Sequence, residues 1–326
     1  MNPDKITTYG FGNEQITMVE KLRVLVVYYS QSGQLGQILD QVLKDVANRI
    51  TVDFAKIEPV QPFPFPWNAS SFFDAMPETV LRIPTELQAM PAMMEKDYDL
   101  VIFGYQPWFL SPSIPANSFL KSEWASVLRG KKVVTVIGSR NMWLHAQECV
   151  KEALQGLGAR HVGNIVLEDK HANMVSTLTI IRWLFKGQKE ASRFLPAAGV
   201  SDQDIADTRK YGPLIVDSIQ NGREEQLQDS LLRLGAVQLR PGLIVLERRG
   251  LSQFPKWAAR ARSKGNPGNP ERLKVIRAFQ RLLMVAIFAL SPLSSLTAGI
   301  QTLLSRKRLM KQVDYFKGVQ YKSGVL

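Results

Sequence analysis

The chain has 326 residues, 45% of them hydrophobic and 21% charged, which is enough to bury one substantial core with a smaller region beside it. This composition excludes an intrinsically disordered chain and a disulfide-stabilised mini-protein. The single cysteine, Cys149, also excludes intramolecular disulfides and multi-cysteine zinc or iron–sulfur sites, so we expect a protein of the reducing cytoplasm.

The net charge of +12 is concentrated at one end of the chain. From Arg240 onward, seventeen lysines and arginines stand against Glu247, Glu271 and Asp314, a net +14, so the preceding residues sum to −2. We therefore expect two regions with different partners, the second of which contacts an anionic surface. The opening residues, MNPDKITTYGFGNEQ, show no basic patch followed by an apolar stretch, so no secretory signal is predicted.

Strands and helices are predicted to alternate through the first half of the chain. Near-continuous apolar runs, of the kind found in buried parallel strands, predict five strands. These strands cover residues 21–29, 50–57, 99–104, 132–138 and 161–169. Apolar residues at helical spacing predict helices over 35–46 and 143–158. Crossovers of helix length indicate a parallel sheet with helices on both faces, a doubly wound α/β domain.

The remainder of the chain is predicted to be mostly helical. Residues 174–185 and 202–234 have helical spacing, whereas GLIVLER at 242–248 predicts a short strand. The predicted organisation comprises an N-terminal tail, the five-stranded domain, a helical extension with the short strand, and a basic, apolar tail. These regions are residues 1–20, 21–190, 191–250 and 251–326.

The loop after the first strand, SQSGQL, has the composition of an anion cradle. Ligands of open parallel sheets bind outside the carboxyl ends of the strands, where this loop begins a helix. Two hydroxyls, a glycine and the free N–H groups of the helix N-terminus predict a phosphate monoester held by backbone and hydroxyl donors. An ordinary capped turn is the alternative. The residues concerned are Ser30, Gln31, Ser32, Gly33, Gln34 and Leu35.

Two further loops are expected to meet the first at the same edge of the sheet. The loop after the third strand presents flat apolar side chains, and the loop after the fourth adds guanidinium and amide donors. Together the three loops predict a mononucleotide that carries a planar heterocycle. The candidates are Pro107, Trp108 and Phe109 on the second loop, with Ser139, Arg140, Asn141 and Trp143 on the third. Core packing is the alternative for each tryptophan, and a solvated surface position for Arg140.

The first loop resembles the phosphate loop of the flavodoxin-like superfamily, Ser/Thr-x-Ser/Thr-Gly-x-Thr, at Ser30, Ser32 and Gly33, with Leu35 at the final threonine position. This resemblance implies a flavodoxin-like fold with FMN as cofactor. The segments YYSQSGQL, PFPFPWNASSFFDAMPE, GYQPWFLSPSIP and VVTVIGSRNMW resemble the dialkylresorcinol condensing enzymes, over roughly two-thirds of the chain. That resemblance implies a bacterial pathway in which a ketosynthase is a partner.

If FMN is bound, charge suggests roles for residues near the third loop. A cation near the flavin N1 and C2 carbonyl favours the reduced anion, so Arg140 is the candidate there and Asn141 the candidate donor to the ring edge. His145 is a candidate general acid or base and His171 a second, with a structural role as the alternative. Cys149 follows His145 by four residues, but a small buried cysteine is favoured over a condensing nucleophile.

These observations leave two functional hypotheses. The first is an FMN-dependent oxidoreductase of aromatase type acting on a lipophilic cyclic dione or quinone-like ring, because aromatising a cyclohexanedione to a resorcinol removes two hydrogens. The second is a non-redox scaffold or accessory partner of a ketosynthase condensing complex that kept the fold and lost the cofactor. No GxGxxG follows a predicted strand, so no dinucleotide site is expected.

The segment at 61–78, QPFPFPWNASSFFDAMPE, alternates proline with phenylalanine and is predicted to be extended, because this alternation resists both helix and sheet. We expect it to cover the substrate crevice. A surface belt packed on an edge of the sheet is the alternative.

The apolar run at 282–305 is flanked by basic residues on both sides. It is long enough to span a bilayer, but Pro292 interrupts it and its second half is only mildly apolar, which favours interfacial insertion into an anionic membrane. A helix in the core or at a homo-oligomer interface is the alternative. Nucleic acid is not expected as a partner, because the basic stretches enclose an apolar run. The predicted location is the cytoplasm, peripheral to the inner face of the membrane.

Overall fold

The computed structural model describes residues 21–289, 299 and 304–326. The main strands are β1 (Leu22–Tyr28), β2 (Ile50–Lys56), β3 (Leu100–Tyr105), β6 (Lys132–Ser139) and β7 (Arg160–Glu168), and β4 (Pro107–Trp108) pairs with β5 (Ser111–Pro112) in a small hairpin. The main strands form one parallel sheet in the order β2-β1-β3-β6-β7. This is the strand order of the flavodoxin-like doubly wound fold, so the predicted fold class is confirmed.

Helices follow each main strand and then make up the C-terminal third of the chain. Those of the N-terminal part are α1 (Gln34–Leu43), α2 (Ala69–Asp74), α3 (Met76–Val80), α4 (Ile114–Lys121), α5 (Leu144–Gly156) and α6 (Asn173–Lys186). Those of the C-terminal part are α7 (Asp202–Ala206), α8 (Tyr211–Gln220), α9 (Leu227–Arg233), α10 (Pro241–Arg262), α11 (Pro270–Phe288) and α12 (Arg306–Lys317). The helices predicted at 174–185 and 202–234 are therefore confirmed, the second as three shorter helices.

Each face of the sheet carries its own core, because alternate residues of a strand point to opposite faces. In β1, Val24 and Val26 pack with α1, α8 and α9 on one face. Leu25 and Val27 pack with α4, α5, α10 and α12 on the other face. Burial on both faces explains why the strands are apolar almost throughout.

The predicted strand at 242–248 is wrong, since these residues form the first turns of α10. Pro241 lies in the first turn of the helix. Proline has no N–H, but this costs no hydrogen bond here, because the N–H groups of the first turn have no acceptor within the helix. Leu243, Ile244 and Val245 are buried in the core beneath the sheet. A short apolar run fits a strand or a buried helix equally well by pattern alone. The boundary predicted between residues 250 and 251 falls inside α10.

The basic tail packs against the α/β domain. Leu309, Val313 and Phe316 of α12 are buried in the same core as α5 and α10. None of the helices within the described residues combines the length and apolarity needed to cross a bilayer. Most of the apolar run predicted at 282–305 lies outside the described residues, and its first seven residues are the last two turns of α11.

Arg272 of α11 joins the C-terminal helices to α2 and α3 through a buried ion-pair cluster. Its side chain is fully buried, and its Nε donates to Asp74 Oδ1 at 2.7 Å. Its Nη1 donates to Glu78 Oε1 at 2.7 Å, and its Nη2 donates to Glu78 Oε2. Apolar side chains of α2, α3, α10 and α11 form a small core beside the cluster. They are Phe73, Met76, Ala258, Ala261, Ile276 and Phe279. The segment at 61–78 is thus held by α11.

Replacing Arg272 with methionine is expected to lower the free energy of unfolding by about 3 kcal/mol, because Asp74 and Glu78 would stay buried after losing their main cation. Glu78 would keep a longer contact of 3.3 Å with Arg262, and Asp74 would keep the bond from Gly268 N. Urea unfolding followed by circular dichroism measures the loss. Arg277→Met is the matched control, since Arg277 is exposed on the same helix and its loss should stay within about 0.5 kcal/mol. Equal stability of the two variants would contradict this interpretation.

Candidate functional site

A cavity of about 280 Å³ opens at the carboxyl edge of the sheet, beside β1, β3 and β6. The loops that follow these three strands all contribute to its lining, as the sequence predicted. In this strand order, β1 and β3 are adjacent strands whose connections leave in opposite directions. A doubly wound sheet binds its ligand at such a point.

The loop after β1 brings donors to this cavity. Gly33 has a φ of 84° and directly precedes α1, and no side chain caps the helix, so its first N–H groups are free for a ligand. Ser32 lines the cavity, whereas the predicted ligand residues Ser30 and Gly33 lie beside it, outside the lining. Ser30 Oγ is buried with no hydrogen-bond partner among the described residues. A buried hydroxyl of this kind is costly unless something binds it, which fits an anion cradle.

Two predicted ligand residues, Gln31 and Gln34, line the cavity while their side chains hold other segments. The Gln31 amide donates to the carbonyl oxygens of Phe63 and Pro64 at 3.2 and 2.9 Å. The Gln34 amide donates to Val200 O at 2.9 Å, and its carbonyl accepts from Val200 N at 3.1 Å. Their amides fix the walls of the cavity.

Leu35 forms an apolar part of the cavity wall. It is buried, and a Cβ added at Gly138 would lie 3.6 Å from its Cδ1. The side chain therefore packs closely under the end of β6. Leu35 therefore brings hydrocarbon, and no hydroxyl donor, to this position.

The second loop forms the β4–β5 hairpin and presents Trp108 to the cavity. Its turn residues, Phe109 and Leu110, have φ values of 43° and 69°. Positive φ at both central residues is the geometry of a tight hairpin turn that usually takes Asn or Gly, so bulky residues here carry backbone strain. The hairpin therefore holds Pro107, Trp108 and Phe109 along one wall, where all three line the cavity.

The segment at 61–78 supplies Phe65, Trp67 and Phe72 to the lining, so it covers the crevice. The prediction that it is extended throughout is wrong, because only residues 61–68, with the Pro–Phe alternation, are irregular, whereas α2 and α3 begin after the Asn68 cap. The Trp67 and Trp108 rings meet edge to face with centroids 5.5 Å apart. The ring centroids of Phe72 and Phe109 are 4.8 Å apart. Such contacts add to the energy of burial, so the lid and the hairpin stabilise each other. We call residues 61–78 the aromatic lid.

The third loop brings a buried cation to the cavity. Arg140 lines it, and its Nη1 donates to Thr177 Oγ1 at 2.7 Å and Asn173 Oδ1 at 3.0 Å. Burial lowers the pKa of Arg140, while the nearby Asp169 opposes that shift. Ser139 also lines the cavity, and its buried Oγ has no partner among the described residues. Arg140 therefore lies at the cavity, and its role beside a flavin stays a prediction.

Three other predicted residues of this region lie outside the cavity lining. Asn141 is buried and donates from Nδ2 to Asn173 Oδ1 at 3.2 Å. Trp143 is fully buried in the core, where its Nε1 donates to Glu168 Oε1 at 2.5 Å, so the alternative of core packing describes it. Burial raises the pKa of Glu168 to about 7. His145 lies in the first turn of α5, one turn before Cys149, and its Nε2 contacts Cys149 Sγ.

His145 and Cys149 do not form an activated pair. The distance from His145 Nε2 to Cys149 Sγ is 3.5 Å, but burial lowers the pKa of the imidazole to about 4 and raises the pKa of the thiol to about 11. Both are therefore neutral near pH 7, unlike the thiolate and imidazolium of an activated cysteine. His171 pairs with Asp169 Oδ1 at 2.7 Å outside the cavity lining.

The sequence reading missed the wall formed by α6 and the segment after it. Ile180, Trp183, Leu184 and Gly199 all line the cavity. Gly199 has a φ of 81°, and a Cβ there would lie 2.7 Å from both Gln34 Oε1 and Trp183 Cζ3. A glycine is therefore required where this segment passes the start of α1. The isolated glycine before Val200 was the one signal in the sequence.

Several solved structures are similar to part of this chain, whereas no protein-family model and no curated protein matches it. A flavoprotein in complex with FMN from Lactobacillus acidophilus is 16% identical, with a TM-score of 0.36, and covers 44% of this chain and 93% of its own. The flavodoxin, WrbA-like protein from Agrobacterium tumefaciens is 12% identical, with a TM-score of 0.36, and covers 62% of this chain and 99% of its own. Two-electron reduced flavodoxin from Megasphaera elsdenii is 18% identical, with a TM-score of 0.30, and covers 46% of this chain and 89% of its own.

Cys149 is predicted to resist alkylation in the folded protein. With its pKa raised from 9.0 to about 11, its thiolate fraction near pH 8 is about a hundredfold lower than that of an exposed thiol, and burial slows the reaction further. The iodoacetamide rate, followed by mass spectrometry, should keep rising with pH beyond the ordinary thiol range. The urea-unfolded chain is the control. Fast native alkylation with a midpoint near neutral pH would contradict this prediction.

Proposed function

We propose that this protein is an FMN-dependent oxidoreductase that acts on a lipophilic cyclic dione or quinone-like ring. The observation that carries the proposal is the two-sided lining of the cavity. The lining combines the Ser32 hydroxyl and the start of α1 with aromatic side chains of the lid and hairpin. A phosphate monoester suits the first group and a planar ring suits the second.

The residues present fit the chemical groups of FMN. Ser30 and Ser32, with the first N–H groups of α1, would hold the phosphate without any basic side chain. Trp108 and Phe109 would pack against the ring system. Ser139, whose hydroxyl is buried without a partner among the described residues, would donate to a polar edge of the cofactor.

Arg140 would favour the reduced cofactor, because a buried cation stabilises the anion that reduction produces. Its guanidinium is already fixed by Thr177 and Asn173 at the start of α6, so little reorganisation is needed when charge develops. The many aromatic and aliphatic side chains in the lining would lower the local dielectric and so strengthen this interaction.

The substrate class follows from the lid and from the resemblance to dialkylresorcinol condensing enzymes. When bound, FMN supplies hydride transfer. An alkylated cyclohexanedione that becomes a resorcinol loses one hydride and one proton, and the aromatic lid offers an apolar surface for its ring and chains. Formation of the carbon–carbon bond is not proposed for this chain, because Cys149 lacks the activation that a condensing nucleophile needs.

A second candidate function, a non-redox accessory protein of a ketosynthase complex, is favoured by Leu35. Its buried side chain replaces a hydroxyl donor of the family's phosphate loop. Such a protein would keep the fold and the lid while failing to hold FMN.

Anaerobic spectroscopy of the FMN-loaded full chain distinguishes the two functions. Bleaching of the flavin bands by an alkylated cyclohexanedione, or recolouring of the photoreduced protein by a lipophilic quinone, would support the oxidoreductase. Phe65→Ser should slow either reaction, because it makes the lid polar, whereas Phe54→Ser on the exposed edge of β2 should leave the rate unchanged. A loaded protein inert to both probe classes would contradict the proposed reaction.

Substituting the loop hydroxyls should weaken FMN binding selectively. Ser30→Ala and Ser32→Ala are each expected to raise the dissociation constant of FMN by about tenfold or more, because each removes a hydrogen bond to a charged group worth about 1.5–3 kcal/mol. Riboflavin, which lacks the phosphate, should bind both variants as it binds the parent chain.

Isothermal titration with FMN and with riboflavin measures both constants. Ser126→Ala is the control, since its Oγ donates to Glu123 O at 2.6 Å and Ser126 lies outside the cavity lining. Equal weakening of FMN and riboflavin would mean that these hydroxyls do not bind the phosphate.

A further inference from the structure

One face of α11 is exposed and changes from basic to apolar along the helix. Residues 274, 277, 281, 285 and 288 recur at spacings of three and four, which place them on one stripe of the helix surface, and Leu282 lies beside this stripe. In chain order they are Lys274, Arg277, Arg281, Leu282, Val285 and Phe288. The last three side chains are 46%, 53% and 38% exposed, so the final two turns present a contiguous apolar strip to solvent.

The opposite face of α11 is firmly attached to the protein. Ile276 and Phe279 are buried against the aromatic lid and α10. Arg272 is bound by Asp74 and Glu78 in the first turn. One face of α11 is therefore buried against the core. Within the described residues, nothing covers the apolar strip on its opposite face.

The charge of α11 and of the other C-terminal helices identifies the kind of partner. Exposed basic residues lie on α10 at Lys256 and Arg260 and on α12 at Arg306, Lys307 and Lys311. The chain from residue 240 onward carries a net +14, so a second copy would bring like charges together. Nucleic acid would satisfy the charge but would leave Leu282, Val285 and Phe288 without an apolar partner. A surface with both anionic groups and hydrocarbon fits both features.

We propose that this face of α11 docks on an anionic lipid bilayer. An interfacial helix lies in the plane of the membrane surface and buries its apolar face to a depth of about 5–10 Å. The apolar strip, Leu282 to Phe288, extends about 9 Å along the axis of such a helix. Arg277 and Arg281 would then lie among the lipid phosphates while Leu282, Val285 and Phe288 enter the acyl chains.

The docked helix would lie directly beside the lid of the cavity. Phe279 and Ile276 pack with Phe73 and Met76 of the lid, and the neighbouring Phe72 lines the cavity. A lipophilic substrate dissolved in the bilayer would thus be released close to the aromatic wall. Lipid binding itself does not depend on FMN, so it can fail or succeed independently of the proposed reaction.

Vesicle flotation of the full chain tests the proposal. The protein is expected to float with vesicles of phosphatidylcholine and phosphatidylglycerol, and to float far less with phosphatidylcholine alone or at high salt. A triple variant, Leu282→Ser, Val285→Ser and Phe288→Ser, should bind anionic vesicles at least about tenfold more weakly.

The matched control replaces three residues of similar exposure elsewhere, Phe54→Ser, Val60→Ser and Met94→Ser, and should bind as the parent chain does. Melting temperatures and retention of added FMN, measured on each sample, separate loss of docking from loss of fold or cofactor. Unchanged flotation of the first triple variant would overturn the proposal. So would a parent chain that ignores anionic vesicles and instead forms dimers that the same substitutions abolish.

Discussion

The site depends on the way two adjacent strands send their connections to opposite faces of one sheet. After β1 the chain continues into α1 on one face, and after β3 it continues into α4 on the other. The carboxyl ends of these strands therefore open into a crevice, towards which α1 directs the positive end of its dipole. Every group that we assign to a ligand stands at this edge because the topology brings it there.

Much of the remaining chain closes this crevice. The amides of Gln31 and Gln34 anchor the aromatic lid and the segment after α6, and Arg272 fastens the lid to the C-terminal helices. A cavity with donors at one end and aromatic walls elsewhere results from these long-range contacts. The C-terminal helices thus belong physically to the site although they contribute no residue to its lining. Their outer face is free to meet another surface while their inner face holds the lid.

The sequence predicted the five strands, the three loops and the lid because each has a local signature. Apolar runs mark the strands, SQSGQL marks a loop entering a helix, and the Pro–Phe alternation marks an irregular segment. Gly199 was missed because its place at the cavity comes from packing against Gln34, more than 140 residues away in the chain. Trp183 was missed because it packs against the distant Phe65 and Gly199. Trp143 was misassigned because a tryptophan beside a site and one beneath it look alike in sequence. The run at 242–248 became a helix because its position in the core, rather than its pattern, decided its conformation.

The most direct test of the central claim is the visible spectrum of the purified full chain after incubation with FMN and ultrafiltration of the excess. Our interpretation predicts retained flavin bands in stoichiometric amount, and their loss when riboflavin replaces FMN. A well-folded protein that stays colourless would contradict it, and the loop after β1 would then be a structural remnant of a flavin site.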